Sequence, residues 1–195
     1  MKKLNAEPNL PLHPFTWLPI TFQQHAFVFA LLLTVVLMRV IQVTNAPLVN
    51  PTAPIGMISL QLAESLPDAL RILTSWDQKA RIYAALNLGI DYLYMFAYAV
   101  VIGLGCVLLA RRLAPRSPLL ALVGVVLSWG VFVALLLDAT ENYFLIRLLL
   151  GDWQALWPIM ARWCAIPKFG LVLTALTYLA SVTLFTIVQA IRPRS

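Results

Sequence analysis

The stretch from Leu119 to Tyr143, LLALVGVVLSWGVFVALLLDATENY, decides the fold. From Leu119 to Leu137 it carries no charge, and then Asp138, Glu141 and Asn142 arrive within five residues. A bilayer core about 30 Å thick is crossed by roughly 20 apolar residues in helical form. The run therefore reads as a membrane-spanning helix with a polar group of side chains at one end. Three more stretches have the same character: about 18–43, 82–110 and 165–191, beside 119–143 itself. The expectation is an all-α, single-domain membrane bundle of four transmembrane helices covering residues 1–195.

Composition agrees with that reading. Of 195 residues, 61% are hydrophobic and 11% charged, and the mean hydropathy is +0.84. A soluble domain carries about 25% charged residues, so this chain cannot cover its own surface in water. Soluble enzymes, disordered segments and nucleic-acid-binding domains are excluded together. The net charge of +6 does not form a patch for nucleic acid, because the basic residues sit at the ends of apolar runs. Two cysteines, Cys106 and Cys164, fall at opposite ends of their helices, too far apart for a disulfide. No Gly-rich phosphate loop, nucleophile elbow or His-Glu-x-x-His helix is present, and no cofactor is implied.

Orientation follows from the basic residues. The short turn Arg111-Arg112-Leu-Ala-Pro-Arg116 is acid-free, and short loops weigh most in the positive-inside rule. Lys2, Lys3, Arg192 and Arg194 fall on the same side, with Glu7 as its sole acid. The expected topology has both termini cytoplasmic in a cell inner membrane. Lys2 and Lys3 ahead of an apolar run resemble a signal peptide. The Pro8–Pro19 stretch and the length of the run favour an uncleaved first helix.

The connection from Thr44 to Arg81 is then external. Asn45–Pro54 reads as irregular chain. Ser65-Leu-Pro-Asp68 is a helix start, with Ser as N-cap and Pro in the first turn. Ala69, Ile72, Leu73 and Trp76 follow at i, i+3, i+4 and i+7. This predicts an amphipathic interfacial helix over about 66–76, with Trp76 at headgroup level. Trp153, Trp157 and Trp163 predict a similar membrane-hugging segment in the second external loop.

Five ionisable residues fall inside or at the rim of the apolar runs: Arg39, Asp91, Asp138, Glu141 and Lys168. Each lies twenty to twenty-four residues from the basic end of its helix, roughly 30–36 Å at 1.5 Å per residue. All four helices thus place charge at one height. Asn87, Asp91, Tyr94 and Tyr98 share one helical face, and Asp138, Glu141 and Asn142 share another. Lys168 sits above a seam of Thr174, Thr177, Tyr178 and Ser181, also expected to face inward. The layer would set Arg39 and Lys168 against three carboxylates, a sum of minus one unless Arg81 or Arg147 reaches in. Three carboxylates with two amides would suit Mg²⁺ or Ca²⁺, but two basic groups in the same layer argue against a metal.

Other polar positions carry smaller expectations. Gln23, Gln24 and His25 read as interfacial residues, with a proton relay as the alternative. Ala99-x-x-x-Gly103 is a small-residue step for close helix approach, within the molecule or in a dimer.

Ile58–Ala63, Ile72–Trp76, Leu88-Gly-Ile-Asp91-Tyr-Leu-Tyr94, Asp138-Ala-Thr-Glu141-Asn142 and Lys168 together resemble a group of small bacterial four-helix integral membrane proteins with an intramembrane Asp-x-x-Glu-Asn motif. The resemblance covers roughly residues 20–190. It implies the same topology and singles out the same charged residues, and it implies no activity.

Two readings of the layer follow. In the first it is a structural clamp between helices of a bundle that meets membrane lipids, a protein partner or a second copy. In the alternative it is a membrane-embedded enzyme or a lipid or small-ligand site. Asp91, Asp138, Glu141 and Lys168 would then be the catalytic candidates, and Arg39, Asn87, Tyr94 and Asn142 would bind. Ion transport is disfavoured, because no charged track continues towards the basic end. Mutual bonding without a cavity favours the clamp, and a pocket of several hundred cubic ångströms favours the site.

Overall fold

The computed structural model describes residues 10–191. It is helical: α1 (Ile20–Asn45), a 3₁₀ turn (Ala46–Leu48), α2 (Met57–Gln61), α3 (Leu66–Ser75), α4 (Gln78–Leu113), α5 (Pro118–Leu149) and α6 (Leu156–Ile191). The long helices α1, α4, α5 and α6 are each long and apolar enough to cross a membrane. The basic termini used for the orientation, Lys2, Lys3, Arg192 and Arg194, lie outside the described residues.

The two ends of the bundle differ, as a basic end and a capped end. The basic end holds the tight α4–α5 connection with Arg111, Arg112 and Arg116. Phe15 is 5% exposed and clusters with Leu104 and Val107, and its ring covers Gly103, where a Cβ would stand 3.2 Å from it. The Ala99–Gly103 step is thus filled from within the molecule. Gln23, expected at the interface, is buried. Its side-chain amide donates to Phe15 O at 2.9 Å and Leu18 O at 2.7 Å, because the N-terminal segment folds back and needs partners for its carbonyls. His25 is exposed. Burial, and then the Arg111 guanidinium beside it, hold the His13 imidazole below its ordinary value.

The capped end is built by the segment between α1 and α4. Ser65 caps α3, its Oγ accepting from Asp68 N at 3.4 Å, and α3 covers the expected residues. Its apolar face lies on protein, contrary to the membrane-surface expectation. Ala69, Ile72, Leu73 and Trp76 share one buried cluster with Ala80, Leu145, Leu148 and Ala161. Trp76 is 2% exposed and its Nε1 donates to Leu48 O at 2.9 Å. A period-3.6 apolar face demands burial without saying against what, and here the capped ends of α4, α5 and α6 supply the surface. The five-residue α2 was not anticipated, being too short to show periodicity. Gly56 enters it with φ of +61°, where a Cβ would stand 2.4 Å from the Asn45 side chain. Asn45 Oδ1 in turn accepts from Met57 N at 2.8 Å.

A second correction concerns α6. It begins at Leu156 and runs through Pro167, so the second external segment shrinks to residues 150–155. Pro158 falls in the first turn, where its missing N–H costs nothing. Trp157 is part of the helix and stacks on Phe144 of α5 at 5.4 Å.

The packing is asymmetric. Helix α4 lies against α1, α5 and α6, whereas α1 has substantial contact with α4 alone among the long helices. In the most apolar window of α4, 67% of residues are buried, against 17% in α1. Helix α4 is therefore the centre, and α1 leaves a gap on the side of α6.

Candidate functional site

The charged layer forms at the capped end of α4, α5 and α6. Lys168 of α6, 5% exposed, donates from Nζ to Asp138 Oδ1 at 2.9 Å and pairs with Glu141 Oε2 at 2.6 Å. Tyr98 Oη donates to Asp138 Oδ2 at 2.9 Å, so both oxygens of Asp138 are engaged. Asp91 of α4 accepts from Asn142 Nδ2 at 2.8 Å. Tyr92 Oη donates to Ala139 O at 3.2 Å. Asp138, Glu141 and Asn142 share a face of α5 as the i, i+3, i+4 spacing requires.

Asn87 does not join this group. Its Nδ2 donates to Ile41 O at 3.0 Å and Thr44 Oγ1 at 2.7 Å, tying α1 to α4 near the cap. Tyr94 is half-buried, its ring edge-on to Tyr98 at 5.5 Å.

Arg39 is corrected. It is exposed, with Nη1 donating to Gln42 Oε1 at 2.8 Å. Since α1 packs on α4 alone, the face bearing Arg39 points away from the bundle, and a long side chain there reaches polar surroundings by itself. Arg81 and Arg147 do not fill the vacancy. Arg81 donates to Leu73 O and Trp76 O at the end of α3, and Arg147 pairs with Asp152, holding that carboxyl below its ordinary value. The layer thus sets three carboxylates against one lysine, a formal sum of minus two. Asp91 is the carboxylate with no basic side chain in ion-pair reach among the described residues.

The polar seam on α6 is corrected too. Thr174 and Thr177 are exposed, their hydroxyls donating to Gly170 O at 2.7 Å and Leu173 O at 2.8 Å, and Ser181 is also exposed. A hydroxyl bonded to the carbonyl four residues back has no need of another helix. Tyr178 alone turns inward, donating to Leu120 O at 3.1 Å.

A cleft of about 580 Å³ opens between α1 and α6 and reaches the layer. Helix α4 is its floor and α2 overhangs its capped end. Its walls are apolar side chains such as Leu31, Met38, Ile102, Val172 and Leu176. Its polar end presents Asp91, Asp138, Lys168, Tyr94 and Tyr98. Glu141 and Asn142, both 0% exposed, lie behind this surface. Gln61 of α2 also lines the cleft, 8% exposed, with an Oε1 that has no hydrogen-bond partner. Sequence reasoning missed Gln61 as a site residue, and a lone Gln before an irregular loop carries no signal that would find it. Among the described residues no three His, Cys, Asp or Glu side chains converge to hold a metal ion.

Another depression, about 590 Å³, lies on the cap beside Glu64, Asp68 and Arg71. Its acids are already paired, Asp68 with Arg71 and Glu64 with Arg162. Cys106 and Cys164 are buried free thiols, as their positions in the chain require.

No family model matches the chain, and no curated protein or solved structure shows significant similarity to it.

Proposed function

We propose that this is a multi-pass protein of a bacterial plasma membrane, with both termini cytoplasmic, that binds a membrane amphiphile in the α1–α6 cleft. The observation that carries the reading is the cleft itself: apolar walls and a polar end formed by the charged layer, in the gap between α1 and α6. A pocket of that volume lined by apolar groups with a few convergent polar ones is the usual form of a small-ligand site. The resemblance to small bacterial four-helix membrane proteins supports the location, and the acid-free Arg111–Arg116 turn supports the orientation.

The clamp reading keeps a specific observation of its own. Lys168, Asp138 and Glu141 join α5 to α6 in a buried group, whose Asp138 and Lys168 also border the cleft while Glu141 lies behind it. We therefore assign Lys168 and Glu141 to holding the helices, and Asp91, which no basic side chain among the described residues pairs, to the ligand.

Purified protein in a neutral detergent tests this by native mass spectrometry with bacterial polar lipid extract. Wild-type protein should retain lipid that Leu31→Trp, which fills the cleft wall, releases while keeping the same thermal midpoint in lipid-free detergent. Equal lipid retention by both proteins would remove the cleft from consideration. A cysteine placed at Arg116 should resist membrane-impermeant reagents added from outside, and ready labelling would reverse the orientation.

A further inference from the structure

We infer that the polar group this cleft takes is a protonated primary amine, carried on a single apolar chain. The inference rests on the cleft reading and adds the ligand's chemistry to it. Three observations point the same way. First, Asp91 faces the cleft with no basic side chain in ion-pair reach among the described residues, its Oδ2 accepting from the Asn142 amide at 2.8 Å beside the Asp138 carboxyl. Second, Lys168, the one cation of the layer among the described residues, is held by Asp138 and Glu141 at 2.9 and 2.6 Å and has little left to offer an anionic headgroup. Third, Gln61, which lines the cleft from the cap, keeps a buried side-chain carbonyl oxygen without a hydrogen-bond partner.

An unengaged buried acceptor is costly to leave unmade, and an uncompensated carboxylate in apolar surroundings more so. Both are answered by a group that donates several hydrogen bonds and carries positive charge. An ammonium has three donors and no acceptor. The rings of Tyr94 and Tyr98 line the same end, and aromatic faces favour a cation. An anionic headgroup would meet the opposite arrangement: a formal excess of two negative charges and a carbonyl oxygen. A bare metal ion fits less well, because no three ligating side chains converge among the described residues.

The test compares three probes of one chain length on delipidated full-length protein in neutral detergent: dodecylamine, dodecanol and dodecanoate. Binding is read by intrinsic fluorescence and by the shift in thermal midpoint. The amine should bind at least about tenfold more tightly than the alcohol or the carboxylate. Asp91→Asn should bring amine and alcohol to within about threefold without moving the affinity for the alcohol. The Asn can still accept from Asn142, so the fold is expected to survive. Should that variant not accumulate, Gln61→Leu on the cap gives the same readout with a smaller loss of amine selectivity. Equal binding of all three probes, or preference for dodecanoate, overturns the amine inference and leaves the cleft reading intact. Failure of every probe to bind or to shift the midpoint overturns both.

Discussion

The two flanks of α4 solve the same problem differently. On the α5–α6 flank, polar side chains are bonded to one another, even where they border the cleft: Lys168 with Asp138 and Glu141, and Tyr98 with Asp138. On the α1 flank the contact is made by aliphatic residues and by Asn87 near the cap, and a cleft of about 580 Å³ remains. The difference teaches where each charge is committed. A buried ion pair is expensive to break, because removing one partner strands the other in a low dielectric. A carboxylate facing a cleft is free to meet something from outside.

Lys168→Met attacks that contrast most strongly. It leaves Asp138 and Glu141 without their cation, and a loss of about 3–5 kcal/mol is expected, read as poor accumulation or a large drop in thermal midpoint in detergent. Adding Asp138→Asn and Glu141→Gln to the same protein should recover most of the loss, because the set is then neutral and still polar. An unchanged midpoint for Lys168→Met alone would show that the closed flank holds nothing.

Gly124→Ala probes the same flank near the basic end. Its Cβ would stand 2.4 Å from Tyr178 Oη and 3.0 Å from the Cys106 carbonyl. A cost of about 1–3 kcal/mol is expected for this overpacking, with the Tyr178–Leu120 hydrogen bond lost. Trp76→Phe removes the donor to Leu48 O while keeping most of the ring, and should cost about 1 kcal/mol. A comparable midpoint for that variant would mean the cap is held by its aliphatic residues alone.

At the basic end the expected effect is a slope. Phe15 N–H donates to His13 Nδ1 at 3.2 Å, and Arg111 Nη2 faces Nε2 at 3.3 Å. Both ring nitrogens therefore face N–H groups, and protonation opposes donor to donor. Because the folded imidazole sits below the ordinary value of 6.5, the folded state binds fewer protons than the unfolded one there. Its contribution is complete above about 6.5 and is lost as the pH falls towards the lower folded value. His13→Gln should flatten the dependence of thermal midpoint on pH between about 7 and 5, and an unchanged slope would place the titration elsewhere.

The smallest effect belongs to the open flank. Arg39→Gln, at an exposed position bonded only to Gln42, should change stability by no more than about 0.5 kcal/mol. A large loss would restore Arg39 to the layer and erase the distinction between the flanks.

Much of this molecule was legible because charge is scarce in it. The uncharged run Leu119–Leu137 announces a span whatever it packs against, since the membrane demands only length and apolarity. Ser65 and Asp68 marked the start of α3 because an N-cap is local chemistry. The shared face of Asp138, Glu141 and Asn142 follows from helical period alone. Heights along a helix come at 1.5 Å per residue, so the common depth of Asp91, Asp138 and Lys168 could be counted.

Rotation and partner choice could not be counted in the same way. Arg39 has the right height and faces away, because only the packing of α1 on α4 sets which side of α1 is inward. Thr174 and Thr177 have the right polarity and face outward, because their own helix satisfies their hydroxyls. Trp76 has the right periodicity and meets protein where membrane was expected. The cleft exists because α1 lacks a second neighbour, a property of no single residue. Sequence by itself determined the number of spans and the common height of Asp91, Asp138 and Lys168, since these depend on distances along the chain, while the start of α6 at Leu156 escaped it. Which charges are paired, which carboxylate borders the cleft without a basic partner, and that Gln61 lines the same cleft were decided by the tertiary structure, because they depend on how rigid helices turn and stand against each other.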